Sequence, residues 1–572
     1  MTFLDSRRLT GPGLLLDGPG AILEIQLDES KRGAALAAWQ RAARRMLDQV
    51  GWAGETLATR TFRGGASLAL SAPADALYAA TDLNEWAWAT AAAEIRGAPG
   101  PDFAAAAERL RAAIQKERCP ALLALREAAR ARGLTFLSDE DGVSVGAGTG
   151  ALLWPLDRLP DPASVDWGRT HEIPTALVTG SNGKTTVVRL LAAMVAETGR
   201  VTGTTSTDAV TVGGAPIAEG DYSGPEGARM LLRRPEVEAA ILETARGGLL
   251  RRGLTIERAD VAVITNIADD HLGEYGIQDL GALAEAKLLV ARAVGPEGGV
   301  VLNADDPILV GAAASVRAPI VWFSLEPDRA GVAEHLRAGG GAAICVDGDL
   351  VLAVGVTRRI VAPVSEVPLT LHGAARHNVA NALAAMAAAH VLGVPVDAVG
   401  RVLRRFGLAD RDNPGRANVL ELGGVQVIVD FAHNPHGMAA LVRMAASFPA
   451  RRRLLLLGQA GDRSDADLRG LARAAAAFRP DRIVLKEMEH YRRGRQPGEV
   501  SAVLAHEFLQ CGFPADTVVH TGTELDGVRE ALSWARAGDL LLLTVHEDRQ
   551  QVLGLLEKLR MGGWQAGDEL AE

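Results

Sequence analysis

The sequence predicts an α/β protein in which a central domain with a phosphate loop and a C-terminal domain follow a smaller α+β domain. Three observations indicate this class. From residue 172 onward, short apolar runs alternate with helical patterns, and a second series of this kind begins near residue 425. Such alternation is typical of parallel sheets covered by helices. The third observation is a glycine-rich loop between the first apolar run and the helical pattern that follows it.

The N-terminal 168 residues combine strand and helix patterns without that regular alternation. AILEIQL at 21–27 is strand-like, a helical pattern covers 31–50, and ASLALSA alternates as an exposed-face strand does. Further helical patterns follow at 103–117 and 120–133, and the proline-containing segment DRLPDPASVDW is typical of a linker. We therefore predict an α+β domain over residues 1–168.

The two later domains are predicted from their apolar runs. The central domain, residues 169–408, carries IPTALVTG, VEAAILET, ADVAVITNI and GGVVLNADD, separated by helical patterns such as TTVVRLLAAMVAETG and AEAKLLVARAV. The C-terminal domain, residues 409–572, carries VQVIVDFAH, RRLLLLG, DRIVLKE and DLLLLTVHE. Each run is short enough for a buried strand and is followed by a helical stretch, so both domains are expected to be α/β.

Bulk composition excludes several classes of protein. With 572 residues, 48% of them hydrophobic, the chain has enough apolar material for several cores. A net charge of −10 without a long basic run argues against nucleic acid as a partner. Neither a membrane-spanning apolar run nor a signal-peptide pattern is found, so we expect a cytoplasmic protein with no membrane partner. The three cysteines are far apart, which favours neither disulfides nor a zinc site.

The glycine-rich loop has the composition of a nucleotide phosphate site. It comprises Gly180, Ser181, Asn182, Gly183, Lys184, Thr185 and Thr186. Glycines let backbone N–H groups turn towards phosphate oxygens, Lys184 can reach the terminal phosphates, and a hydroxyl of Thr185 or Thr186 can hold Mg²⁺. Val178 stands where the general pattern G-x-x-x-x-G-K-[ST] has its first glycine, so the loop is a variant. The chain has only six lysines against 54 arginines. A position that keeps lysine in such a chain is therefore a candidate for chemistry that arginine cannot perform.

Two further segments place polar side chains at the ends of predicted strands. The run AAILE ends at Glu243, where a carboxylate is suited to bind Mg²⁺ beside a phosphate loop. TNIADDHLG then places Asn266, Asp269, Asp270 and His271 together after the next buried run. Taken singly, Glu243 and His271 are as well explained by structural or solvent-exposed roles.

Nine motifs in order resemble the Mur ligase superfamily, and within it the Mur-like part of cyanophycin synthetases. They are TGSNGKTT, GTTSTDAV, EGDYSGPEGA, LETARGGLLRRGL, TNIADDHLG, LNADDP, ARHNVANALAA, NPGRANV and VDFAHNPHG. The resemblance implies a Mur-ligase-type P-loop central domain and a Rossmann-like C-terminal domain. The start of the chain resembles the N-terminal domain of cyanophycin synthetases, and the ATP-grasp domain that follows it in that family is expected to be absent.

The resemblance also implies cofactors and catalytic residues. ATP and Mg²⁺ are expected, with one metal on Thr185 and Glu243 and a second on His271. Lys287 falls where several Mur ligases carry a carbamylated lysine that supports the second metal. Arg416 resembles the arginine that reaches the γ-phosphate. Together Lys184, Glu243, His271, Lys287 and Arg416 form the expected catalytic set.

The remaining motif residues are expected to bind the nucleotide base and the substrate. Asn378 and Asn381 look like the family's adenine contacts, and Asp430, His433 and Asn434 resemble its substrate-facing motif. For the arginine-rich segment YRRGRQPGE, beside Lys486, two readings stay open: it binds an acidic substrate, or it is a solvated loop.

The implied function is ATP-dependent amide formation through an acyl phosphate. It joins a small-molecule or peptide carboxylate, such as an aspartyl group, to an amino acid such as arginine. Three alternatives remain: a nucleotide-binding regulatory subunit that partners a separate ATP-grasp ligase, a Mur ligase for cell-wall or folate substrates, and a motor-type P-loop NTPase. A homo-oligomer also stays open.

Overall fold

The computed structural model describes residues 2–270 and 272–570, with only the backbone of Ala330 and Asp410. These residues form two compact units. The first comprises residues 2–267, 272–361 and 381–402, and the second comprises 268–270, 362–380 and 403–570. The domain boundaries at residues 168 and 408 stay predictions.

The first unit begins with an antiparallel sheet packed against three helices. Its strands are β1 (Thr2–Leu9), β2 (Gly20–Gln26), β3 (Leu57–Phe62) and β4 (Gly65–Ser71), in the order β1-β2-β4-β3. The helices are α1 (Glu29–Gln49), α2 (Leu77–Arg96) and α3 (Phe103–Glu117). Trp39 lies fully buried between α1 and α2, and its indole N–H donates to Asn84 Oδ1 at 2.9 Å. The α+β character predicted for this region is confirmed.

A small subdomain follows within the same unit. Helix α4 (Pro120–Ala131) packs against an antiparallel sheet of β5 (Phe136–Asp139), β6 (Gly142–Val145) and β7 (Leu152–Trp154). Its core contains Leu125, Val143 and Val145, which are all but inaccessible to solvent.

The main sheet of the first unit has the order β11-β10-β9-β12-β8-β13-β14-β15-β16-β17-β18 among the described residues. Its strands are β8 (Thr175–Thr179), β9 (Thr202–Thr205), β10 (Ala209–Val212), β11 (Ala215–Glu219), β12 (Ala239–Glu243), β13 (Ala259–Ile264), β14 (Val294–Asn303), β15 (Ile320–Ser324), β16 (Gly341–Val346), β17 (Asp349–Val354) and β18 (Thr357–Pro363). The strands from β9 to β16 in this order are parallel.

Among the described residues, the helices of this part of the chain are α5 (Lys184–Ala196), α6 (Pro225–Leu232), α7 (Arg246–Arg252), α8 (Leu280–Leu288), α9 (Pro307–Ala312), α10 (Ala330–Arg337), α11 (Arg376–Val391) and α12 (Val396–Leu403). Helix α11 belongs to the first unit from residue 381 onward, and α12 up to residue 402. The central strands are buried along nearly their whole length because helices cover the parallel sheet on both faces. Strand β8 lies between β12 and β13, so the carboxyl ends of these three strands meet at one edge. Ligand sites of such sheets lie at that edge.

The second unit contains a separate sheet in the order β19-β20-β24-β21-β22-β23. Its strands are β19 (Asn418–Leu422), β20 (Val425–Asp430), β21 (Arg453–Leu457), β22 (Arg482–Lys486), β23 (Val518–Thr521) and β24 (Leu540–Thr544). The helices are α13 (Pro435–Ala445), α14 (Asp465–Ala476), α15 (Glu499–Gln510), α16 (Glu524–Trp534) and α17 (Arg549–Met561). All neighbouring pairs except β19–β20 are parallel.

The leucine-rich runs form the middle of this second sheet. Strand β24 lies between β20 and β21, and its four leucines are completely buried. Leucine on successive positions is compatible with a strand here because both sheet faces carry helices. Among the described helices, none combines the length and apolarity that a membrane span requires.

Candidate active site

The predicted phosphate loop joins the central strand β8 to helix α5. Strand β8 ends at Thr179, the loop runs through Gly180 to Gly183, and α5 begins at Lys184. The loop is clamped by two residues that follow the neighbouring strand β13. Asn182 N–H donates to Asn266 Oδ1 at 3.0 Å, and Asn266 Nδ2 returns a bond to Asn182 O at 3.1 Å. Thr265 Oγ1 donates to the same Asn182 carbonyl at 2.6 Å.

Both loop glycines are required by their surroundings. Gly180 has φ +146°, and a Cβ added there would lie 1.8 Å from Thr265 Oγ1. Gly183 has φ +87°, and a Cβ there would lie 2.2 Å from Asn381 Oδ1. A side chain at either position would therefore change the loop, because it meets a buried polar group in a backbone conformation that favours glycine.

The hydroxyl of Thr185 meets the carboxylate of Glu243, as the sequence predicts for a magnesium pair. Thr185 Oγ1 donates to Glu243 Oε2 at 2.8 Å, and Glu243, the last residue of β12, is 2% exposed. Lys184 Nζ lies 3.4 Å from the carbonyl of Ser181, so the ammonium group is held beside the loop. Thr186 is buried in the first turn of α5.

A third segment, GTTSTDAV, contacts Thr185. Thr207 Oγ1 lies 3.4 Å from Thr185 Oγ1. The next residue, Asp208, accepts a bond from Arg189 of α5 at 2.7 Å. Since Arg189 and Thr185 share one helix, this ion pair positions Thr207 against the candidate metal pair.

The motif LNADDP supports the loop after β13. Asn303 Nδ2 donates to Thr265 O at 3.0 Å. Asp306 Oδ2 accepts from Ile267 N–H at 2.6 Å, while its other oxygen caps helix α9 through Ile308 N–H at 2.9 Å. These contacts give the motif a positioning role that the sequence alone did not reveal.

The two asparagines of ARHNVANALAA have different surroundings. Asn381 lies against Gly183 of the phosphate loop, within the first unit. Asn378, only 2% exposed, donates through Nδ2 to Leu369 O at 3.1 Å in the second unit. The adenine role of both residues stays a prediction.

The predicted second metal site is described only in part. Lys287 is buried in α8, with 3% exposure, which is unusual for a lysine. His271 lies outside the described residues. Within residues 2–270 and 272–570, no group of three or more His, Cys, Asp and Glu side chains has the arrangement of a metal site.

The loop and its neighbours fit ATP and Mg²⁺. Gly180 and Gly183 let the loop pack directly against Thr265 and Asn381, and the loop leads into the N-terminus of α5, where backbone N–H groups can bind phosphate oxygens. Thr185 and Glu243 supply hard oxygen donors 2.8 Å apart, the ligand chemistry that Mg²⁺ prefers. Lys184 provides a cation at the start of the helix.

In the second unit, Asp430 organises the motif VDFAHNPHG. It ends strand β20, and its two oxygens accept N–H bonds from Ala417 and Ala432, each at 2.7 Å. Burial raises the pKa of Asp430, an effect that Arg416 and the backbone donors oppose. The Arg416 guanidinium lies over the Phe431 ring, 4.1 Å from its centroid. The structure therefore brings Arg416 and Asp430 together.

His433 and Asn434 are held by the same loop. His433 Nδ1 lies 3.1 Å from Phe431 O. Asn434, 3% exposed, caps helix α13 by accepting from Gly437 N–H at 2.8 Å. Part of the reason for asparagine at this position is thus helix capping.

Lys486 forms a buried network that sequence reasoning did not anticipate. Its side chain and that of Glu524 are completely buried and ion-paired. Lys486 Nζ also donates to Thr544 O at 2.6 Å and lies 3.2 Å from His546 Nδ1. His546 Nε2 lies 3.2 Å from Ala432 O, next to the Asp430 loop. Burial lowers the pKa of both Lys486 and His546.

The arginines of YRRGRQPGE make local contacts within the second unit. Arg492 pairs with Glu489 at 2.7 Å, and Arg493 with Asp462 at 3.3 Å. Arg495 donates to the carbonyl of Arg463 at 2.7 Å.

Arg463 contacts the motif TNIADDHLG, an interaction that the motif analysis did not predict. Its side chain is 9% exposed and donates from Nη1 to Asp270 Oδ1 at 3.1 Å. Asp270 belongs to TNIADDHLG, and both residues lie in the second unit. Burial, together with the carboxylates of Asp467 and Asp270, raises the pKa of the neighbouring Asp269. The signal that could have found Arg463 is its place in the loop between β21 and α14, but only the fold shows its partner.

Comparisons with known proteins agree with this architecture. A family model described as the Mur ligase middle domain matches residues 178–389, and one described as the Mur ligase, glutamate ligase domain matches 415–544. Escherichia coli FolC in complex with DHPP and ADP has a similar fold, with a TM-score of 0.51 and 21% identity over 68% of this chain and 89% of FolC. The predicted fold class is confirmed.

Curated relatives are named as synthetases and ligases. Cyanophycin synthetase from Synechocystis sp. is 40% identical over 60% of this chain and 39% of its own length, and that from Trichormus variabilis is 38% identical over 66% and 41%. The chain thus matches about two fifths of these relatives. UDP-N-acetylmuramyl-tripeptide synthetase from Leifsonia xyli is 30% identical over 74% of this chain and 81% of its own length. The chain therefore belongs to the Mur ligase family.

Proposed function

We propose that the chain is an ATP-dependent ligase that joins a carboxylate to an amine through an acyl phosphate. The observation that carries the proposal is the clamped phosphate loop with the Thr185–Glu243 pair beside it, at 2.8 Å. A loop of this kind binds nucleotide phosphates. Membership of the Mur ligase family supports the proposal that the bound ATP drives a ligation.

The proposed metal residues are Thr185 and Glu243 for one Mg²⁺, and His271 and Lys287 for a second. When bound, Mg²⁺ would neutralise phosphate charge, as it does in phosphoryl transfer generally. The 2.8 Å contact between Thr185 and Glu243 supports the first assignment, because a hydroxyl and a carboxylate are hard oxygen donors of the kind that Mg²⁺ prefers. Carbamylation of Lys287 belongs to the same proposal.

The chain's own cations have a defined task in this reaction. A carboxylate and the terminal phosphate of ATP are both anions, so their approach requires positive charge. Lys184 at the phosphate loop supplies it, and Arg416 is assigned the same role. Asn378 and Asn381 are proposed to bind adenine, because an amide can both donate to and accept from the base.

The substrate residues are proposed to be Asp430, His433 and Asn434. Strand β20 ends at Asp430, and the polar groups of this motif are fixed by backbone N–H bonds and a helix cap. A fixed arrangement lowers the entropic cost of orienting a substrate. We propose an aspartyl or similar carboxylate and an amino acid such as arginine as substrates, in keeping with the cyanophycin synthetases among the relatives.

The test measures ATP consumption that depends on both substrates. Phosphate release from Mg-ATP is screened with aspartate-containing peptides against the common amino acids, and the ligated product is identified by mass spectrometry. Lys184→Ala is the control. We expect release that needs a particular carboxylate and a particular amine and is lost in the control. No release with any pair would contradict a self-sufficient ligase and favour a nucleotide-binding subunit of a complex with a separate ATP-grasp ligase.

A further inference from the structure

A cavity of about 310 Å³ lies in the first unit, lined in part by residues 254–258. Its walls come from the end of β1, from the region of α4 and β5, from α6, and from residues 254–258, which connect α7 to β13. The volume is in the range of small-ligand sites. None of its lining residues belongs to the proposed ATP, metal or substrate sets.

The wall of this cavity is strongly basic. Four arginines line it: Arg126, Arg130, Arg229 and Arg258. Among the described lining residues, Glu257 is the one acidic side chain. The lining also offers hydroxyl groups, including those of Ser138 and Thr255. In a protein with a net charge of −10, such a concentration of guanidinium groups is not explained by the average composition.

The carboxylate of Glu257 makes only long contacts with the arginines around it. Arg126 Nη2 lies 3.5 Å from one of its oxygens, and Arg130 Nε lies 3.9 Å from the other. Both separations are long for ion pairs of this kind, which are commonly 2.7–2.9 Å apart. One carboxylate shared by two distant guanidinium groups leaves donors on both of them available for a ligand.

Arg229 and Arg258 extend the same surface. Arg229 contacts Asp139 at 2.9 Å, but Arg233 donates to both oxygens of that carboxylate, at 2.8 and 2.9 Å. Burial and the nearby Arg233 lower the pKa of Arg229, as expected for a cation that its partner compensates incompletely. Arg258 packs over Gly133, where an added Cβ would lie 2.5 Å from its Nη1.

We propose that this cavity binds a small multivalent oxyanion, a compound with two or more carboxylate or phosphate groups. Guanidinium groups match both anions because their donors pair with two oxygens at once. Several arginines around one small cavity suit a ligand with more than one anionic group, since a single carboxylate could engage only one or two of them. The site is distinct from the phosphate loop.

The experiment measures binding to the full chain by isothermal titration calorimetry. The Lys184→Ala background, in EDTA, minimises binding of phosphates at the loop. The probes are L-aspartyl-L-aspartate and inorganic pyrophosphate. Arg126→Gln with Arg258→Gln is compared with the matched pair Arg358→Gln and Arg359→Gln, which removes the same charge from exposed positions of β18. Thermal unfolding confirms that each variant is folded.

We expect at least one probe to bind, and the cavity pair to weaken its binding by at least about tenfold while the control pair changes it less than about twofold. Preference for the dipeptide or for pyrophosphate distinguishes a carboxylate ligand from a phosphate ligand. Failure of both probes to bind at millimolar concentration would overturn the proposal. Equal loss in the cavity and control pairs would overturn it as well. Because activity is not the readout, failure here leaves the proposed ligase function untouched.

Discussion

Replacing Gly180 with alanine should weaken nucleotide binding while leaving the fold intact. Gly180 has φ +146°, and the new Cβ would lie 1.8 Å from Thr265 Oγ1 and 3.0 Å from Thr265 Cβ. Thr265 is 2% exposed and its rotamer is restricted by β-branching, so it cannot move aside freely. The loop must therefore change its path.

The cost follows from two contributions. An alanine in this backbone region costs about 1–3 kcal/mol. Rotation of Thr265 also breaks its 2.6 Å bond to Asn182 O, which is worth about 0.5–1.5 kcal/mol. Together they give about 1.5–4.5 kcal/mol, or an affinity loss of about 10- to 2,000-fold if binding must restore the loop.

The assay is equilibrium binding of Mg-ADP by titration calorimetry, with circular dichroism as the check on folding. Gly199→Ala is the matched control, because Gly199 has φ +89° but no atom within 4 Å of an added Cβ. It should bind nucleotide as the parent does. Removing the clashing hydroxyl in Gly180→Ala/Thr265→Ala should recover part of the affinity. Parent-like binding by Gly180→Ala would refute the assignment of this loop.

Three further predictions concern the metal pair, the buried lysine and pH. Glu243→Gln keeps an acceptor for Thr185 but removes the charge, so a Mg²⁺ titration with ADP should show at least about tenfold weaker metal binding, with ADP affinity in EDTA unchanged. Lys486→Met should lower the free energy of unfolding in urea by about 3–5 kcal/mol, because it leaves the buried Glu524 carboxylate without its cation. Adding Glu524→Gln should restore part of this loss. A loss below about 1 kcal/mol would contradict the buried ion pair. Burial lowers the pKa of His377, at the start of α11, to about 4, so the unfolded chain binds the proton at a higher pH than the folded chain does. The free energy of unfolding in urea should therefore fall by up to about 3 kcal/mol as the pH drops from about 6.5 to 4, and by less in His377→Gln.

The strand pattern of the sequence predicted most of the fold that positions the site. The runs ending at Thr179, Glu243 and Ile264 form adjacent parallel strands, as their apolar composition indicated. Helix α2 escaped prediction because its alanines and tryptophans are buried on much of its surface, which weakens a one-sided helical pattern. Strands at the sheet edges, such as β10 and β11, were missed as well.

The part of the site formed by residues contiguous in the sequence was predictable. Gly180 to Thr186 form one strand-loop-helix unit, so local sequence suffices. The clamp of Asn182 by Thr265 and Asn266 depends on β13 lying beside β8, more than 80 residues away in the chain. Such pairing of distant segments is a property of the sheet order, which local patterns do not contain.

Two other features were beyond sequence reasoning for different reasons. Lys486 pairs with Glu524 and approaches His546, partners that no motif connects with it. The arginines of YRRGRQPGE could equally have been solvated or ligand-binding, since charge alone does not reveal ion-pair partners. Their contacts with Glu489, Asp462 and the Arg463 carbonyl become visible only in the fold, and a substrate-binding role for the segment stays a prediction.

The most direct test of the central claim follows an oxygen atom from the carboxylate substrate into phosphate. The substrate pair found in the phosphate-release screen is used with ¹⁸O in the reacting carboxylate, and the released phosphate is analysed by mass spectrometry. Ligation through an acyl phosphate transfers one labelled oxygen to each phosphate, so we expect singly labelled phosphate in proportion to product. Unlabelled phosphate formed together with amide product would contradict the acyl phosphate and the account built on it.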